Sequence, residues 1–195
     1  MLKDTSLLLR KHILLPLCLG AALLSACATP GTTGGSTSTS TTAPAPRPSP
    51  RVDWQGLRQS LDSALGDVTG AEVDAPTDNS LHLRIPVSNG FGSDSADLRA
   101  PLAHALDALI PTLNGYPDVA IHIVGHTDSV GSEMYNLQLS IRRGEAVMEY
   151  LRTRGIALDR MSADGKGEAE SIADNSREAG RARNRRVEFF LRPLE

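Results

Sequence analysis

The chain has 195 residues, 40% of them hydrophobic and 4% aromatic, with a formal net charge of -3 and two cysteines. A mildly acidic balance excludes a global electrostatic pull towards nucleic acid. Both cysteines, Cys18 and Cys27, fall at the start of the chain, which excludes a disulfide framework or a cysteine metal site in everything that follows.

Lys3, Arg10 and Lys11 flank the start of an apolar run from Ile13 to Leu24, broken by Pro16 and Gly20. The run is shorter than the about 20 apolar residues that span a bilayer. A charged start, a short apolar centre and small residues at its end have the form of a secretory signal covering residues 1–26. Its last residues, Leu24-Ser25-Ala26-Cys27, resemble the lipobox of bacterial lipoproteins. That resemblance implies cleavage before Cys27, diacylation of its sulfur and acylation of its new amino group with fatty acids such as palmitate. Each buried methylene contributes about 0.8 kcal/mol, so a multiply acylated Cys27 stays in its membrane. Ala28, which is not aspartate, resembles the outer-membrane sorting pattern of enteric bacteria, so the expected location is the outer membrane with the domain facing the periplasm. An ordinary signal peptide cleaved after Ala26 is the alternative. Loss of residues 1–26 removes Lys3, Asp4, Arg10 and Lys11 and leaves a net charge of -5.

Residues 27–50 begin with Cys27 and continue as Thr, Ser, Gly, Pro and Ala with a single Arg47. Such a segment has too little to bury to offset the entropy of ordering. As a flexible coil it averages roughly 25–30 Å end to end, and fully extended about 75 Å. It reads as a tether between a membrane and one compact domain formed by the remaining residues.

In chain order, Asp53 is placed to cap a helix from Trp54 to about Leu65 with Trp54, Leu57, Leu61, Ala64 and Leu65 on one face. Val68–Val73 and Leu81–Val87 read as extended, the latter alternating Leu81, Leu83, Ile85 and Val87 with polar residues. Asp97 is expected to cap a helix from Leu98 to Leu113 with Pro101 in its first turn. A strand over Val119–Val124, a helix from Ser132 to Arg152, a short strand over Met161–Gly165, a short helix over Ser176–Ala182 and a strand over Arg185–Leu191 follow. Residues 51–80 are read as an extension of the domain and 81–195 as its body. Alternating strands and helices imply an α/β or α+β sandwich with a mixed sheet.

The most informative stretch is Gly125-His126-Thr127-Asp128, followed by Tyr135-Asn136, Leu139-Ser140 and Arg143. Asp128 stands where a strand runs out; Asn136 and Arg143, two turns apart, share a face of the next helix. Ligands of such sheets gather at the carboxyl ends of strands. An acid on one wall and a base on the other suit a zwitterion, the carboxylate taking an ammonium and the guanidinium gripping a carboxylate.

Those residues, with the late Gly180-Arg181-Ala182-Arg183-Asn184-Arg185-Arg186-Val187-Glu188, resemble the OmpA-like C-terminal domain, a family that includes peptidoglycan-associated lipoproteins. The likeness covers roughly Leu81 to Leu191. It implies an α+β fold, a βαβαβ two-layer sandwich whose mixed sheet carries helices on one face. It also implies non-covalent binding of peptidoglycan through the diaminopimelate of the peptide stem, with no catalysis and no cofactor. By the same resemblance Asp128 holds the ammonium, Arg143 the carboxylate, and Asn136 and Arg185 line the pocket; Thr127, Leu139 and Asp94 are counted with them. Asp94 stands where relatives often have a neutral residue, Val130 where a hydroxyl or amide is common, Gly144 where alanine is usual, and Ser171 where proline is.

Blander readings stand beside these. Asp128 and Arg143 could simply bridge each other. One of Arg185 and Arg186, which point to opposite faces of a strand, is a packing or surface arginine. His122 and His126 lie about 13 Å apart on a strand, too far to share a zinc ion; His126 is expected to bond backbone at the strand end. Ser129 lacks a nucleophile elbow. A regulatory lipoprotein that binds a periplasmic protein through the amphipathic helix around Trp54 and Leu57 is the alternative function.

Overall fold

The computed structural model describes residues 52–77, 79–92 and 94–194. The expected signal, Cys27 and the tether lie outside them. Helix α1 spans Trp54–Ala64, and Asp53 Oδ1 accepts the Gly56 N–H at 3.0 Å as its cap. The strand expected from Val68 shrinks to β1, Glu72–Val73. The reason is local: Val68 N–H and Ala71 N–H donate to Leu65 and Val68 carbonyls in successive turns, and Gly70 has φ 79°.

β2 spans Leu81–Pro86 and α2 spans Ala100–Gly115. Asp97 does not cap α2. Arg99 occupies the N-cap without a side-chain bond, Pro101 sits in the first turn, and the Asp97 carboxylate instead accepts Ser95 Oγ–H at 2.7 Å. β3 spans Val119–His126. It runs two residues beyond the expected end because Gly125 and His126 continue the ladders to neighbouring strands. α3 spans Glu133–Thr153, capped by Ser132 Oγ, which accepts Tyr135 N–H at 3.3 Å. β4 (Met161–Gly167), α4 (Glu178–Asn184) and β5 (Arg186–Pro193) complete the domain.

The sheet order is β1-β2-β5-β3-β4, with only the β3–β4 pair parallel. This is the mixed α+β sandwich the sequence implies. One face of the sheet carries Leu81, Leu83 and Ile85 from β2, Val187, Phe189 and Leu191 from β5, and Val119, Ile121 and Ile123 from β3. They form a single core with Leu102, Leu106 and Leu109 of α2 and Val147 and Leu151 of α3. Trp54, Leu57 and Leu61 of α1 belong to that same core, so the apolar face of α1 is occupied within the domain.

Gly144 explains itself at the α3–sheet interface. A Cβ there would stand 2.6 Å from the Asp164 carbonyl oxygen, and one on Gly125 would stand 2.2 Å from that of Ser140. Such contacts admit no side chain, so backbone packs on backbone. The helix propensity lost at Gly144 is outweighed by this approach.

On the opposite face, His82, Phe190, His122 and Ser162 form one row across four strands, with His82 stacked on Phe190 at 4.5 Å between centroids. Arg186 is the packing arginine of the pair: it is buried and its Nε donates to Glu188 Oε1 at 2.6 Å. His126 does not bond backbone. Both its ring nitrogens are buried without a partner, and Nε2 lies 3.7 Å from Glu188 Oε2, too far for a hydrogen bond.

Candidate functional site

The end of β3 feeds directly into the site. Thr127 N–H donates to the Gly167 carbonyl at 2.9 Å, extending the β3–β4 pairing by one residue. Asp128 then leaves the sheet and makes an Asx turn, its Oδ1 accepting Val130 N–H at 3.0 Å. Its Oδ2 accepts Arg185 Nη1–H at 2.6 Å. Arg185 reaches Glu178 with its other nitrogen, and Arg181 Nη2 lies 2.8 Å from Glu178 Oε2. Arg181, Glu178, Arg185 and Asp128 thus form a chain of alternating charges. Burial works against the Arg185 charge, but its bonds to Asp128 and Glu178 prevail and raise its pKa above the ordinary arginine value.

From α3, Asn136 Nδ2 donates to the Asp128 carbonyl at 3.2 Å and to Glu168 Oε2 at 2.6 Å, fixing the turn to the helix. Arg143, two turns later, has a different setting. It is 8% exposed. Its Nε donates to the Ser95 carbonyl at 3.0 Å, Nη2 lies 3.5 Å from the Gly92 carbonyl, and the guanidinium sits 5.0 Å over the Phe91 ring. Among the described residues it makes no ion pair with a carboxylate. Burial lowers its pKa, opposed by Tyr135 and then by the charges of Asp94 and Asp128.

The opposite wall is the 91–98 turn, closed by a Phe91–Leu98 bridge and by Gly92 N–H donating to the Asp97 carbonyl at 3.1 Å. Asp94 at its tip has φ 50°, a conformation in which a short polar side chain is the best tolerated after glycine. It points no bond at any described residue.

Asp94, Thr127, Asp128, Asn136, Leu139, Arg143 and Arg185 all line one open cavity of about 440 Å³. The simple Asp128–Arg143 bridge does not form; Asp128 is paired with Arg185 instead. Thr127 lines this cavity, and its Oγ1 is buried without a hydrogen-bond partner among the described residues. Phe91, Arg99, Glu178 and Arg181 also line it and were not expected. Glu178 was signalled only by its spacing to Arg181 on α4; Phe91 and Arg99 carried no signal, since a loop folds them in. A larger cavity of about 680 Å³ lies between the turn after α1 and the first turns of α2. Its ionisable lining is Asp67 and His104 alone, and none of the seven residues reaches it. Among the described residues no group of three His, Cys, Asp or Glu could hold a metal ion.

The cavity at the strand ends thus brings together an acid, a buried base and a buried hydroxyl. The chain carries a domain of the OmpA family, which residues 90–185 match. It is 39% identical over 126 residues to Probable lipoprotein YiaD of Escherichia coli, the match covering 65% of this chain and 57% of that protein. It is 35% identical over 131 residues to the Peptidoglycan-binding protein ArfA of Mycobacterium tuberculosis, covering 67% and 35% respectively. The chain therefore spans just over half of the first relative and about a third of the second. Among solved structures, it resembles the cell wall anchor of the T6SS from Pseudomonas aeruginosa with a TM-score of 0.60 and 26% identity, covering 70% of this chain and 99% of that one. No helix among the described residues is long and apolar enough to cross a membrane.

Proposed function

We propose that this domain binds peptidoglycan non-covalently, gripping the free zwitterionic end of diaminopimelate in the peptide stem, and that an acylated Cys27 with the 27–50 tether links it to the outer membrane. The observation that carries the reading is Arg143: a buried guanidinium lining a cavity, stabilised by carbonyls and a ring but, among the described residues, by no carboxylate. Burying a cation is costly unless an anion meets it. A ligand carboxylate there, bound by the planar fork, supplies the missing partner. The ligand ammonium then falls to Asp128, whose oxygens each retain a free lone pair beside Val130 N–H and Arg185. The relatives support the ligand class: one is a probable lipoprotein and the other a peptidoglycan-binding protein.

The role is structural attachment, with Asp128, Arg143, Asn136, Arg185, Thr127, Leu139 and Asp94 as the contact set. Purified cell-wall sacculi test it by co-sedimentation. The wild-type domain pellets with sacculi, while Asp128→Ala and Arg143→Ala variants, folded by circular dichroism, remain in the supernatant. Equal retention of all three proteins overturns the pocket.

A further inference from the structure

The cavity contains seven charged groups: Asp94, Asp128 and Glu178 against Arg99, Arg143, Arg181 and Arg185. They sum to one positive charge, three acids against four bases. Arg185 pairs with Asp128 and Glu178, and Arg181 with Glu178, while Asp94, Arg143 and Arg99 make no ion pair among the described residues. A simple zwitterion, with its ammonium on Asp128 and its carboxylate on Arg143, adds no net charge and leaves that surplus cation unanswered.

Arg99 is the unassigned one. Its backbone N–H donates to the Gly90 carbonyl at 2.9 Å, which ties the start of α2 to the turn carrying Phe91 and Asp94. Arg99 is exposed and Arg143 is buried, and both line the cavity. The cavity thus offers an anion one cation in the interior and one open to solvent.

Resting on the cell-wall reading above, we propose that the pocket takes a ligand with one ammonium and two carboxylates, the second carboxylate being seated by Arg99. A stem peptide offers that charge set. Its diaminopimelate end supplies the ammonium and the first carboxylate. The second comes either from the α-carboxylate of a γ-linked glutamate or from the other carboxyl of diaminopimelate when that residue ends the stem. Arg99 reads the shared chemistry, an additional anion a few ångströms from the zwitterion. Amidation of that group then turns a preferred stem into a poorer one.

Calorimetric titration of the whole domain separates the cases. The probes are L-Ala-γ-D-Glu-meso-diaminopimelate, its glutamate α-amide, and its inner diaminopimelate carboxamide. One of the two modified peptides is expected to bind the wild-type domain about fivefold more weakly, the size of an exposed charge pair. Arg99→Gln should weaken the parent peptide equally and bind that modified peptide no worse than the wild type does. The modified peptide that shows the effect identifies the carboxylate. If Arg99→Gln binds every probe as the wild type does, the second-anion seat is overturned, while the diaminopimelate reading survives provided Arg143→Ala still abolishes binding. If Arg143→Ala binds normally as well, both readings fail.

Discussion

Arg185 donates to the Asp128 carboxylate at 2.6 Å, so the acid at the mouth of β3 is held by a base from the start of β5 and not by the base facing it on α3. This pre-sets Asp128 while leaving Arg143 unanswered. Asp128→Asn keeps the shape and the Val130 turn but removes the charge. Stem-peptide affinity is expected to fall about tenfold to a hundredfold, from a charge-assisted contact contributing roughly 1.5–3 kcal/mol. Titration calorimetry checks this; an affinity within twofold of wild type contradicts it.

Arg143→Lys keeps the charge and loses the fork. Its ammonium cannot at once reach a carboxylate in two-point fashion, donate to the Ser95 carbonyl and lie flat over Phe91. Binding is expected to weaken about tenfold or more, corresponding to at least about 1.4 kcal/mol. A lysine variant that binds as tightly as arginine would show that only point charge matters there.

Gly144→Ala provides a stability test with a counterintuitive sign. Alanine gains about 1 kcal/mol of helix propensity over glycine. Here its Cβ would press on the Asp164 carbonyl oxygen at 2.6 Å. Overpacking of this kind costs about 1–3 kcal/mol, so net destabilisation is expected, visible as a lower urea midpoint. A higher midpoint would mean that α3 can lift from the sheet freely.

His82 predicts a pH dependence. Its Nε2 lies 3.1 Å from Glu188 Oε2 and its Nδ1 2.8 Å from Asp74 Oδ2, so only the imidazolium can donate to both carboxylates. The bond to Glu188 raises its pKa most; burial opposes this and Asp74 assists. A raised folded pKa gives stability that is complete below the unfolded value of 6.5 and is lost as pH climbs through the folded value. Thermal midpoints should therefore decline as pH rises above 6.5, and His82→Gln should flatten that slope. Glu188 acts in the opposite direction. Burial would raise its pKa, yet the neighbouring His126, His82 and Arg186 hold it far below the usual carboxylate range, so its contribution is present above 4.5 and fades only in strong acid.

The strands and helices were legible because Leu81, Leu83 and Ile85 or Val119, Ile121 and Ile123 alternate, and each set faces one core. Thr127, Asp128, Asn136, Leu139 and Arg143 converge because the end of β3 and the first turns of the next helix are close by construction; Asp94 and Arg185 come to the cavity from elsewhere in the chain. What the sequence concealed was non-local. Arg99 and Phe91 enter the cavity through a turn whose shape depends on the Phe91–Leu98 bridge and on φ 50° at Asp94. The partner of Asp128 was hidden for the same reason, since Arg185 arrives from 57 residues away. Asp97 misled as a cap because Ser95 competes for its carboxylate within two residues. Gly144 read as a local weakness because the carbonyl it makes room for lies on a strand formed later in the chain.

The bare seam between α3 and the sheet has one more result. Because main chain rests on main chain at Gly125 and Gly144, the spacing from strand tip to helix is set by atoms that cannot change rotamer. The domain thus works as a fixed-gap calliper: association kinetics with a stem peptide should be single-exponential, with the observed rate rising linearly in peptide concentration and no slower phase of tightening.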